Sequence, residues 1–278
     1  MPTIMLRSSG IADAAHLSGS EPAAGFRIAP IPAFQDNYIW LIELGENAVV
    51  VDPGDAAPVL HLLQARRRKL EAILVTHHHA DHVGGVADLV AAHGARVFGP
   101  AKSPFLRVDV PLREGDHVSV LGQDFSVLEV PGHTLDHIAY WCPARDVLFC
   151  GDTLFACGCG RLFEGTAAQM YLSLSKIARL PDRTKVYCAH EYTSANIRFA
   201  LAVEPDNPDL LHRREECAVL RQGGQPTVPS TIQLEKASNP FLRCAEATVQ
   251  AAVQQRSPGL GREEIAVFAA LRSWKDAF

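Results

Sequence analysis

A chain of 278 residues with 47% hydrophobic side chains can build one large domain or two modest ones around a substantial core. No apolar run approaches the ~20 residues that a membrane-spanning helix needs, and a formal net charge of −5 offers no basic field for nucleic acid. Seven cysteines without regular spacing point to reduced thiols in a cytoplasmic protein rather than to a disulfide framework.

Residues 1–25 are small and polar, with no basic start followed by an apolar stretch, and are expected to form a poorly ordered N-terminal extension. From Phe26 onward short apolar runs alternate with loops and helices. "YIWLIEL" (38–44) and "NAVVVDPG" (47–54) are expected to be buried strands joined by a tight turn. A helix is expected over 56–70, with Val59, Leu60, Leu62, Leu63 and Leu70 available to one face. "RRRK" (66–69) reads as a solvated run that complements the helix dipole. "EAILVT" (71–76) is a strand, "GVADLVAAHG" (85–94) a helix closed by Gly94, and "ARVFGP" another strand. "HVSVLG", "DFSVLEVPG", "HIAYWC" and "DVLFCGD" are further strands, followed by a helix over 167–180 and a short strand at 185–190. Beyond Glu191 the pattern is helical: "SANIRFALAVE", "PDLLHRREECAVLRQ" and 261–278, with a loop over 223–231. These elements predict an α/β sandwich over 26–190 and a smaller helical domain over 191–278.

The stretch "THHHADH" (76–82) crowds four histidines and an aspartate into seven positions. In an extended segment His77 and His79 point one way and His78 the other. Asp81 and His82 follow where the chain turns toward the next helix. Neutral imidazole and carboxylate are ligands for zinc and similar divalent ions, so two subsites follow, one served by His77 and His79, the other by Asp81 and His82. Three more metal-capable residues each come directly after an apolar run: His133 in "VPGHT", Asp152 in "LFCGDT" and His190 in "VYCAHEYT". Seven ligands suit two ions with one carboxylate shared, and Asp152 is the natural bridge because its two oxygens can touch both ions. Asp52, in "VVDPG", also ends a strand and could fix the tautomer of a ligand imidazole. Asp136 and His137 read as local packing groups, and Cys157 and Cys159 as parts of a tight turn.

His-x-His-x-Asp-His, followed by Gly-His and then Gly-Asp, resembles the metallo-β-lactamase superfamily. Within it the chain is similar to glyoxalase II, the hydroxyacylglutathione hydrolases. "QDNYIWLIE", "VVDPG", "THHHADHVGG", "PGHTLDHIAY", "GDTLFACGCGRLFEGT", "CAHEYTSANIRFA" and "NPFLR" carry the resemblance, which runs from about Phe26 to the C-terminus. It implies an αββα sandwich as the catalytic domain (26–190), a C-terminal helical domain that binds substrate (191–278), and a binuclear metal site at one edge. His77, His79 and His133 would bind the first ion; Asp81, His82 and His190 the second; Asp152 would bridge. The two ions would be zinc, with iron or manganese as alternatives. A hydroxide held between them would attack the thioester carbonyl of S-D-lactoylglutathione, giving D-lactate and glutathione, a step of methylglyoxal detoxification. Arg161 and Arg243 match basic groups for the substrate's carboxylates, and Tyr192 matches a hydroxyl that contacts the glutathione backbone. Phe163 stands where some relatives have tyrosine, Ala247 where some carry a lysine, and Asp136 where glycine is common. The partner implied is a small-molecule thioester, not nucleic acid or membrane, for a monomer or small homo-oligomer. The alternative on the same scaffold is a glutathione persulfide dioxygenase, which would use one iron. A tRNA-processing nuclease would want a basic surface, and a non-catalytic binding module would not need seven ligands.

Overall fold

The structure, a computed structural model, describes residues 25–278 except Leu106; the expected extension over 1–25 lies, but for Gly25, outside the described residues. The first sheet holds six strands in chain order: β1 (Arg27–Ala33), β2 (Asn37–Leu44), β3 (Asn47–Val51), β4 (Lys69–Leu74), β5 (Arg96–Pro100) and β6 (Val110–Leu112). β1 to β3 run antiparallel, and β3 to β6 run parallel. Parallel neighbours need a crossover: α1 (Ala56–Arg66) links β3 to β4, while α2 (Ala80–Val83) and α3 (Val86–His93) link β4 to β5. The meander β7 (His117–Val120), β8 (Gln123–Glu129), β9 (Ile138–Cys142) and β10 (Val147–Gly151) begins the second sheet. A small hairpin, β11 (Leu154–Phe155) and β12 (Gly158–Cys159), and helix α4 (Ala167–Ala178) lead to β13 (Lys185–Cys188), which lies parallel to β10. Then come α5 (Thr193–Val203), α6 (Pro208–Gln222), β14 (Ser230–Thr231), α7 (Ile232–Ser238), α8 (Ala247–Arg256) and α9 (Glu264–Asp276). β14 pairs with β13, so the C-terminal segment lends a strand to the second sheet, whose spatial order is β14-β13-β10-β9-β8-β7.

Alternation along the strands builds the layers. In β2, Tyr38, Trp40 and Ile42 enter the core shared with the second sheet, beside Phe125, Val127, Tyr140 and Phe149, while Ile39 and Leu41 join Val59, Leu63, Val86 and Leu89 beneath α1 and α3. Both faces of β2 are buried, which is why its sequence is continuously apolar. The inter-sheet core continues through Met170, Leu174 and Ile177 of α4 into Phe199, Phe241 and Phe268 of the C-terminal segment. This is the metallo-β-lactamase sandwich with a C-terminal helical region. Among the described residues no helix is long and apolar enough to cross a membrane.

Several elements differ from expectation. The first helix stops at Arg66, not at residue 70, because Arg67 turns left-handed (φ 53°) and the Arg68 N–H returns to Leu63 O. Lys69 and Leu70 therefore open β4. The basic run is only partly solvated: buried Glu43 accepts from Arg66 at 2.6 Å and from Arg68 at 2.9 Å. β1 was not expected, since "RIAPIPA" carries two prolines, and they are tolerated there because β1 is an edge strand. α7 and α8 were also unannounced, as was β14 within the expected loop 223–231.

Candidate metal centre

The expected ligands converge at one end of the sandwich. β4 delivers His77, His79, Asp81 and His82, β10 delivers Asp152, β13 delivers His190, and the loop after β8 delivers His133. Two glycines permit the close approach of these loops. A Cβ on Gly54 would lie 1.9 Å from Asp81 O, and one on Gly160 would lie 2.0 Å from Asp152 O, so no larger residue fits at either turn.

Candidate ligand atoms lie within 4.8 Å of one another in three overlapping groups: His77, His79 and His133; His77, His82 and Asp152; Asp81, His82 and His190. Asp152 is central. Its Oδ2 lies 3.4 Å from Nε2 of both His133 and His190, and its Oδ1 lies 3.4 Å from His82 Nε2. Asp81 Oδ2 lies 3.5 Å from Nε2 of both His82 and His190. His77 Nε2, His82 Nε2 and Asp152 Oδ1 are buried without a hydrogen-bond partner. Unpartnered buried polar atoms are costly. Several at one centre, all N and O donors of the type that divalent ions favour, fit such ions.

The far side of most rings is already engaged. Asp52 Oδ2 lies 3.1 Å from His82 Nδ1, and the same carboxylate accepts from Thr76 N and Thr76 Oγ1, each at 2.7 Å. Asp36 Oδ1 lies 2.8 Å from His190 Nδ1, and His133 Nδ1 donates to Arg161 O at 2.8 Å. Asn37 Nδ2 donates to Asp81 Oδ2 at 3.0 Å. Contacts of this kind fix tautomers and orient ligands. Asp36 and Asn37 were not singled out in the sequence as site residues, although they sit in the quoted "QDNY". His137 is not mere packing: its Nε2 accepts from the Asp152 N–H at 3.1 Å, and its ring stacks on His77 at 4.5 Å. His78 turns away, as expected, with Nδ1 2.9 Å from Asp136 Oδ1 and Nε2 3.3 Å from Glu164 Oε1.

Electrostatics divide the imidazoles. Burial pushes His77 well below its ordinary value, with His82 adding repulsion, and burial likewise lowers His79 and His133. Burial also lowers His137 to about 3. His82 and His190 move the other way: burial would lower both, yet Asp152 outweighs it, helped by Asp52 and Asp36 respectively. Burial would raise Asp152, but His82 and His190 hold it well below the usual carboxylate range. The same carboxylates favour positive charge on this side of the centre, the charge that a divalent cation would supply.

A cavity of about 720 Å³ opens over this centre. Arg161, Phe163 and Tyr192 line it. The Phe163 ring meets those of His79 and His133 at 5.6 and 5.2 Å, and Tyr192 stacks on His190 at 4.7 Å. Arg243 is not brought there. Its guanidinium pairs with Glu204 at 2.8 and 3.0 Å and lines a separate cavity of about 630 Å³. Buried Glu204 needs a counter-charge, and Arg243 supplies it. Two cations of α9, Arg272 and Lys275, line the first cavity instead. They were missed, although their i, i+3 spacing in "LRSWKDAF" puts them on one helix face. Burial, with Arg272 beside it, lowers the Lys275 ammonium to about 8.

A family model described as "Metallo-beta-lactamase superfamily" matches residues 34–190, and one described as "Hydroxyacylglutathione hydrolase C-terminus" matches residues 191–278. A protein of Albidiferax ferrireducens named hydroxyacylglutathione hydrolase is 54% identical over 91% of this chain and 100% of its own length. One of that name from Pseudomonas aeruginosa is 55% identical over 91% of this chain and 99% of its own. Among solved structures, ETHE1 from Myxococcus xanthus superposes with a TM-score of 0.61 at 28% identity, covering 91% of this chain and 98% of that one. TTHA1623 in a di-iron-bound form superposes with a TM-score of 0.56 at 29% identity, covering 78% of this chain and 100% of that one. By a shared core, by a match to both parts of the fold and by relatives more than half identical over nearly all their length, this chain belongs to the hydroxyacylglutathione hydrolase family of the metallo-β-lactamase superfamily.

Proposed function

We propose that this protein hydrolyses S-(2-hydroxyacyl)glutathione thioesters, S-D-lactoylglutathione first among them, at a site for two divalent ions. The convergence of seven N and O ligands beneath a cavity lined by Arg161, Arg272 and Lys275 carries the reading. In it, His77, His79 and His133 would hold one ion, Asp81, His82 and His190 the other, and Asp152 would serve both. Zinc is the proposed pair, with iron or manganese accepted by the same donor set. When bound, such ions make hydroxide available near neutral pH and stabilise negative charge developing on the carbonyl oxygen.

The chain's own residues do the rest. Asp52 and Asp36 keep Nδ1 of His82 and His190 occupied, leaving each Nε2 free as a ligand. Arg161 and Lys275 attract the carboxylates of the glutathione moiety, and Tyr192 offers its hydroxyl to the peptide backbone of that moiety. The leaving thiolate, with a conjugate acid near a pKa of about 8.5, departs without a dedicated proton donor. None of the seven cysteines competes as nucleophile: all are buried, and burial raises every thiol. Residues 26–190 are proposed as the catalytic domain and 191–278 as the helical domain that completes the substrate cavity. The test follows loss of the thioester with purified, metal-replete protein. Turnover supports the reading. An inert protein that instead consumes oxygen on glutathione persulfide would replace it with the dioxygenase.

A further inference from the structure

Between Asp152 and Arg161 the chain folds into the β11–β12 hairpin, which spans from the central carboxylate to Arg161, one of the cavity's cations. With two residues in each strand this hairpin has little stability of its own. Its backbone is held from outside by Cys150 Sγ, 3.2 Å from Leu154 O, and otherwise by side chains that come after residue 190. Asn239 Nδ2 lies 3.2 Å from Phe155 O and 2.9 Å from Gly158 O, and Asn196 Nδ2 donates to Ala156 O at 2.9 Å. Arg272 Nη1 donates to Cys159 O at 3.0 Å, and the Cys157 N–H donates to Glu235 Oε2 at 2.8 Å. Cys157 sits at φ 56°, a left-handed conformation that a side-chain-bearing residue keeps only when its surroundings enforce it.

The holders are themselves rigid. Asn239 and Glu235 are wholly buried. Glu235 accepts from Arg213 at 2.7 Å, from Asn239 at 2.9 Å and from Ser230. Asn239 Oδ1 also accepts from the Phe241 N–H at 3.1 Å, so the residue is fixed at both ends of its amide. Asp152, by contrast, is tied on the other side of the hairpin, through its own N–H to His137. Asp152 and the hairpin are therefore held by different side chains, while His133 meets the chain just beyond the hairpin, at Arg161 O (2.8 Å).

We propose that Asn239, backed by Glu235, is a positioning residue for substrate binding: it shapes the hairpin so that Arg161 stands at the cavity. This rests on the reading of Arg161 as a substrate cation. Asn239→Ala is expected to raise KM about tenfold, with kcat within about twofold and metal content per chain unchanged. In an Arg161→Ala background the same change is expected to move KM by less than about twofold, because residues acting through one another are not additive. Independent, multiplying effects of the two substitutions on KM would overturn the proposal, as would loss of metal in step with kcat. Hydrogen exchange separates the layers of the argument. Faster exchange of the Cys157 and Gly160 amides in Asn239→Ala is expected, and unchanged exchange would overturn the proposal. An unchanged KM in Arg161→Ala alone would instead remove Arg161 from the substrate reading. Should Asn239→Ala not fold, Asn239→Ser keeps an acceptor for the Phe241 N–H without reaching both carbonyls, and the same readouts apply.

Discussion

The imidazoles at the strand ends and the cations around the cavity are held in different ways. His77 and His82 are fully buried, and Asp52 and Thr76 brace them through bonds that cross between β3 and β4. Arg161 stands 67% exposed on a loop with only a 3.8 Å pairing to Asp276, and Phe163 is 63% exposed. The first group is preorganised and is itself braced by a second layer of residues; Arg161 and Phe163 have room to adapt to a ligand, whereas Arg272 is buried and tied to Cys159 O. The difference assigns consequences. Changes in the braced region should act on metal content and kcat, whereas changes at the rim should act on KM.

The sharpest way to break that division is Asp152→Ala. It removes the carboxylate shared by His82, His133 and His190 and is expected to cost at least about a thousandfold in kcat, with metal lost from the protein. Metal analysis beside steady-state kinetics checks it; retained metal with near-normal kcat would dissolve the distinction. Asp52→Asn is next. It keeps the shape but weakens the hold on His82 Nδ1, and an effect of about 10–100-fold on metal affinity is expected, read by competition with a chelator.

At the rim, Lys275→Ala is expected to raise KM about tenfold with kcat nearly unchanged. The same side chain sets a pH signature. Its ammonium, lowered to about 8, is charged below that pH and neutral above it. Substrate affinity should therefore fall as pH rises through 8, and KM in Lys275→Ala should lose that dependence. The smallest effect on catalysis is expected of Arg243→Ala. It leaves Glu204 buried without its counter-charge, so stability should fall by about 3 kcal/mol while KM stays put. Thermal melting and KM measured together check this, and a raised KM would return Arg243 to the substrate site.

What the sequence made legible follows from how each residue is recruited. Seven metal-capable side chains stand beside apolar runs, and a chain rarely places them there for packing, so they are visible locally. The braces are ordinary polar residues, and their partners are remote: Asp36 meets His190 across 154 positions, and Asp52 meets His82 across 30. Of these, only Asp52 stood out, because it ends a strand as the ligands do. Arg243 lay in a segment resembling a substrate-binding one, but no local pattern announced that Glu204, 39 positions earlier, would claim it. Arg272 reaches back 113 positions to Cys159, a contact made only when α9 docks. β2, β3, β9 and β10 were legible because both their faces are buried, and β7 and β8 because apolar residues alternate along them. β1, with its prolines, the short α7, and α8, which buries only Val249 and Val253, gave no such signal.

The most direct test counts metal ions in the purified chain by elemental analysis while thioester hydrolysis is followed on the same sample through chelation and reconstitution. Two ions per chain, with activity lost on chelation and restored as they return, is the predicted result. Full hydrolytic activity with one ion per chain, or with none, would contradict it.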